Sequence, residues 1–156
     1  MNDDCIRKEP CRCLKDWEID ALSSVANDTM NLYIELQLIT GLDRNSILKL
    51  TISDVREDGL FVRPQNLEIL LGKAVVFKWS EELENVISKI RKLPRAEGVK
   101  NLFCDSKGMP FFKGKFIKEW GDLMEHALEY TELKMPFREM DVRYTVLCDL
   151  NKKDLH

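Results

Sequence analysis

Ile39-Thr40-Gly41-Leu42-Asp43-Arg44-Asn45-Ser46-Ile47-Leu48-Lys49-Leu50-Thr51-Ile52-Ser53-Asp54 is the stretch on which the reading of this chain turns. An apolar helix runs into Gly41, the residue best suited to the left-handed conformation that ends a helix. A short second helix is expected from about Asn45, with Asn45 or Ser46 able to cap it, and Asp43 also reads as a cap. An Asp54-Val55-Arg56-Glu57-Asp58-Gly59 turn follows and leads into a strand.

Outward from this centre, 29–40 is apolar almost all round, as expected of a helix at the middle of a core. Asp28 reads as its cap. Before it, Trp17, Ile19, Leu22 and Val25 recur at helical spacing behind Asp16, the expected cap. After it, strands are expected at 60–63, 67–71 and 74–79, the last two joined by a hairpin turn at Gly72-Lys73. Ser80 caps a helix whose buried stripe is Leu83, Val86, Ile87, Ile90 and Leu93, and Pro94 stops it. Residues 101–104 are extended and Lys107-Gly108 turns. Phe116, Ile117, Trp120, Leu123, Met124, Ala127 and Leu128 mark an amphipathic helix, and a last helix covers about 139–150. The fold class is therefore α+β, mainly α: a helical bundle with a small three-stranded antiparallel sheet. Residues 1–13 read as a flexible start and 14–156 as one domain.

The chain has 156 residues, 33% of them charged, and a net charge of −3. That balance does not announce a nucleic-acid binder, although a basic patch can sit on an acidic whole. Lys89, Arg91, Lys92 and Arg95, then Lys107, Lys113, Lys115 and Lys118, form local basic groups that read either as such a patch or as solvated surface. No stretch approaches the ~20 apolar residues of a membrane span, and the N-terminus lacks a signal-peptide core. A cytoplasmic location is expected. The five cysteines, Cys5, Cys11, Cys13, Cys104 and Cys148, are odd in number, which points to reduced thiols. Neither they nor the two histidines, His126 and His156, supply a metal-ligand pattern, and no cofactor or metal is expected.

Five short motifs, in order, give the chain a resemblance. They are Thr40-Gly41-Leu42-Asp43 through Ser53-Asp54, Leu70-Leu71-Gly72-Lys73, Lys78-Trp79-Ser80-Glu81-Glu82-Leu83, Asn101-Leu102-Phe103 through Gly108-Met109-Pro110, and Met140-Asp141-Val142-Arg143. Together, over roughly 14–149, they resemble the catalytic domain of the tyrosine recombinases, or phage integrases. The resemblance implies attack on a DNA phosphodiester by a tyrosine hydroxyl through a covalent phosphotyrosyl intermediate. It also implies two arginines, a lysine and a histidine around the charged transition state. On these motifs Arg143 is the retained second arginine. Asp43 stands at the first arginine's position, Leu70 at the lysine's and Met140 at the histidine's.

Arg44 and Lys73 are the substitutes nearest to the missing cations. The family's tyrosine lies beyond the Arg143 position, so the chain ending at His156 is expected to lack it, and its start leaves no room for the family's N-terminal helical domain. Tyr33, Tyr130 and Tyr144 read as core or surface residues. The implied function is an integrase-like protein related to DNA recombination and integration, degenerate at its active site, with Arg143, Lys73, Lys113 and Lys115 on duplex DNA. A truncated product or prophage remnant is one origin. Self-association or a full-length recombinase is a possible completion. Arg143 also reads as a helix residue paired with Asp141, Glu139 or Asp149. The alternatives are a DNA-binding module without chemistry and a protein-interaction scaffold that has lost DNA.

Overall fold

The computed structural model describes residues 12–63 and 74–154. Its helices are α1 (Asp16–Val25), α2 (Asp28–Thr40), α3 (Arg44–Leu48), α4 (Glu81–Arg91), α5 (Lys113–Tyr130) and α6 (Glu139–Asp154). Among the described residues a 3-10 turn, Ile52–Asp54, precedes two strands, β1 (Gly59–Val62) and β2 (Val75–Lys78). The strands are antiparallel, with Leu60 opposite Phe77 and Val62 opposite Val75. The expected sheet had three strands. Two are present among the described residues, and the expected strand at 67–71, with the Gly72-Lys73 turn, lies outside them.

The helix boundaries follow local chemistry that differs in places from the simplest reading. α1 is entered through Lys15 rather than capped by Asp16: the Glu18 carboxylate folds back onto the Lys15 amide at 2.9 Å and takes an ion pair from Arg12 at 2.8 Å. Those donors hold Glu18 below the usual carboxylate range even though burial pushes it up. Trp17 lies outside the buried stripe, 47% exposed. At α2 the cap is Asn27, not Asp28, because the Asn27 side-chain oxygen reaches the Met30 amide at 2.8 Å. Gly41 ends α2 at φ 69°, where a left-handed residue was expected. Ser80 caps α4 through the Leu83 amide, and α6 runs beyond the expected 150 to Asp154.

The core lies where α2 crosses between α1, α4 and α6. Leu22, Ile34, Leu36, Ile47, Leu60, Ile90 and Leu102 are all fully buried in it. An aromatic wedge fills the side toward α5. Tyr33 packs on Phe116 at 4.6 Å between centroids and edge-on to Phe103 at 5.8 Å, and Phe116 stacks on Trp120. The Trp120 indole N–H donates to the Phe137 carbonyl at 3.2 Å, so the largest buried ring leaves no polar atom unsatisfied.

Reduced thiols were expected, yet Cys13 and Cys148, 135 residues apart, are joined as a disulfide with Cα atoms 6.7 Å apart. Arg12, expected in a flexible start, is tied down too, its amide donating to Asp141. Cys104 is a buried free thiol. No helix among the described residues is long and apolar enough to cross a membrane, and no group of three His, Cys, Asp or Glu side chains there could hold a metal ion.

Candidate nucleic-acid interface

The fold brings the first and last motifs together. Gly41 presents its carbonyl at the end of α2, and Arg143, on the second turn of α6, donates its Nε–H to that oxygen at 2.9 Å. This bond spans 102 residues of chain. Arg143 is half-buried, and its terminal guanidinium nitrogens have no further protein partner among the described residues. It pairs with none of Glu139, Asp141 and Asp149. Asp141 instead receives the backbone amides of Arg12 and Arg138, at 3.1 and 2.8 Å.

Asp43 sits at the cap position of α3. Its carboxylate accepts the Ser46 hydroxyl at 2.5 Å rather than a backbone amide. Arg44 turns the other way, into the protein. Its guanidinium lies 3.9 Å from Glu139, which is itself buried and accepts from the Tyr33 hydroxyl at 3.1 Å and from the Gln37 amide. Burial raises the Glu139 carboxyl above the usual range, against the donors Gln37 and Tyr33 that pull it down. Burial, with Glu139 alongside, raises Tyr33 far above the usual phenol range. Tyr33 is therefore a neutral structural donor.

Met140 is half-buried. With Arg44, Phe116, Trp120, Phe137 and Glu139 it lines a cavity of about 340 Å³ beside this cluster.

The lysines divide by their surroundings. Lys115 forms a 2.6 Å ion pair with the buried Asp105, whose carboxyl is held below its ordinary range first by that lysine and then by the Met109 and Lys107 amides. Lys118 pairs with Asp122 one turn along α5. Arg95, counted among the basic candidates, is a backbone clamp, donating to the Asn101 and Leu102 carbonyls at 2.7 and 2.8 Å. Lys113 is exposed in the first turn of α5, with no ion pair among the described residues, and Lys73 lies outside those residues.

Sequence reasoning missed the Tyr33–Gln37–Glu139–Arg44 cluster. The available signal was Gln37, a polar residue facing inward on an otherwise apolar helix, which implies a buried partner.

No protein-family model matches the chain, and no curated protein matches it by sequence. Solved structures do match by fold. The lambda integrase catalytic core superposes with a TM-score of 0.69 at 14% identity, over 90% of this chain and 87% of that one. The Tn1549 transposon integrase, in complex with circular intermediate DNA, gives 0.72 at 20% identity, over 100% of this chain and 56% of that one. XerA recombinase gives 0.71 at 19% identity, over 97% and 54%. The chain thus spans about half the length of the last two. It has the fold of the tyrosine-recombinase catalytic domain.

Proposed function

We propose that this chain is an integrase-like domain that holds duplex DNA through phosphate contacts centred on Arg143 and does not by itself carry out strand transfer. The observation that carries this reading is the Gly41–Arg143 bond. One nitrogen of the guanidinium is spent on orientation, and the two terminal nitrogens are left for a planar, two-point grip on a phosphate. Lys113 and, beyond the described residues, Lys73 add charge to the same partner. Lys115 contributes only in competition with Asp105.

The proposed loss of chemistry rests on the surroundings of the other family positions. Asp43 places a carboxylate where the family has an arginine, and Met140 offers no proton donor in place of histidine. Arg44 is engaged beside Glu139 and is a poor substitute for the missing first arginine. A transition state with added phosphate charge would meet one arginine and an opposing carboxylate. A partner recombinase or a second copy supplying the missing groups would restore a complete site within the cytoplasm of a host cell carrying a prophage.

A salt-titrated binding assay with duplex DNA, comparing the parent chain with Arg143→Ala, tests this. Log affinity should fall linearly with log salt, and the variant should bind more weakly with a slope shallower by about one. A chain that fails to bind at low salt sinks the DNA reading. That result favours the interaction-scaffold alternative, which the exposed apolar Phe112 (67%) and Met135 (59%) support.

A further inference from the structure

Residues 12–14 lie along one stripe of α6. The Arg12 amide donates to the Asp141 carboxylate at 3.1 Å, the Leu14 amide donates to the Thr145 hydroxyl at 2.7 Å, and Cys13 is bonded to Cys148. Positions 141, 145 and 148 share a helix face, being four and then three residues apart. Arg143 leaves the helix away from that stripe and reaches Gly41. α6 is thus held from two directions: by the end of α2 and by this N-terminal strap. Two of the strap's three contacts are ordinary hydrogen bonds; the third exists only in the oxidised state. Cys13 is exposed and Cys148 half-buried, so reagents can reach the pair. Cys104, in contrast, is buried, and burial pushes its thiol up, away from the reactive thiolate.

We propose that Cys13 and Cys148 form a thiol–disulfide exchange site that takes a low-molecular-weight disulfide such as oxidised glutathione, and that its closure locks the strap onto α6. The thiolate of one cysteine attacks a sulfur of the small disulfide, forming a mixed disulfide and expelling one thiolate. The second cysteine, deprotonated, attacks the protein sulfur of that mixed disulfide, closes the Cys13–Cys148 bond and expels the second thiolate. The protein pair loses two electrons and two protons, and the small disulfide becomes two thiols. Where reduced glutathione dominates, the pair rests as a dithiol, and of the strap's three links to α6 only the two hydrogen bonds remain, beside the Arg12–Glu18 ion pair and the buried Leu14. This inference does not depend on DNA binding.

The full-length chain, equilibrated over a series of oxidised-to-reduced glutathione ratios, can be alkylated and mapped by peptide mass spectrometry, with amide exchange read in parallel. The expected result is a Cys13–Cys148 cross-link that rises with the ratio while Cys104 stays a thiol. Amides of 141–149 should then exchange about tenfold more slowly or slower still, and the melting point should rise by about 5–10 °C. Cys148→Ser and Cys13→Ser should each abolish the cross-link and both stabilising effects while leaving the reduced-state melting point close to that of the parent. The proposal is overturned by a folded chain that forms no such link, by pairing of Cys148 with Cys5 or Cys11, or by glutathione adducts that never resolve. A cross-link that leaves α6 exchange unchanged also overturns it.

Discussion

Arg143 and Gly41 are one unit. The glycine's left-handed φ of 69° turns its carbonyl out of the α2 ladder, and the Arg143 Nε–H takes that carbonyl at 2.9 Å. A Cβ built on Gly41 would stand 3.4 Å from the Val146 side chain, on the helix turn just after Arg143. Helix termination and arginine placement therefore depend on the same small residue.

Gly41→Ala should destabilise the fold by about 1–2 kcal/mol, the cost of forcing an L-residue into the left-handed region. Gly41→Asn should cost less, because asparagine tolerates that region better. Urea unfolding midpoints check the order. Equal costs would mean that contact with Val146, not backbone conformation, dominates.

Arg143→Lys keeps the charge and loses the planar fork. A lysine ammonium can serve the Gly41 carbonyl or a phosphate but lacks the arginine's divided geometry. Duplex-DNA affinity should fall about tenfold with a nearly unchanged salt slope, in contrast to the shallower slope expected of Arg143→Ala. A lysine variant that binds like the parent would show that only charge matters here.

Asp105 anchors the 105–109 turn, accepting from the Lys107 and Met109 amides at 2.8 and 3.0 Å and from Lys115. Its folded pKa is depressed, so its contribution is whole above the ordinary carboxylate pKa and is lost as pH falls through the folded value. Asp105→Asn should cost about 1–3 kcal/mol at neutral pH. In denaturant melts taken across pH, that difference should shrink toward acid. A gap that persists at low pH would show that charge plays no part.

Glu139 has the opposite sign. Its folded pKa is raised by burial, so the folded state holds the proton more tightly and stability declines as pH rises from the unfolded pKa through the folded one. Glu139→Gln should remove that decline while keeping an oxygen for the Tyr33 hydroxyl. Unfolding midpoints of parent and variant should then diverge between acid and neutral pH. Parallel pH profiles would place the titration elsewhere.

The two halves of the site were not equally legible. Motif order gave Asp43, Met140 and Arg143 their expected positions in the family pattern, and it is the structure that brings Gly41 of the first motif against Arg143 of the last. The partners were not legible. Nothing local separates Lys115, bound to Asp105 at 2.6 Å, from Lys113, or shows that Arg95 clamps two carbonyls. Arg44 looked like a candidate cation because it adjoins Asp43, whereas helix geometry turns successive residues about 100° apart and sends it inward to Glu139.

By itself the sequence determined the local structure: the apolar α2 ending at Gly41, the Ser80 cap with the α4 stripe behind it, and the α5 face of Phe116, Trp120, Leu123, Met124 and Ala127, though Ile117, expected on that face, is 45% exposed. Each follows from short-range propensity and periodicity, which act over a turn or two of chain. Tertiary structure alone decided the pairing of Cys13 with Cys148, the burial of Gln37 against Glu139 and the choice of Gly41 as Arg143's acceptor. Those contacts join residues 135, 102 and 102 positions apart. At such separations a residue's partner is set by how whole helices pack, and no local pattern encodes it.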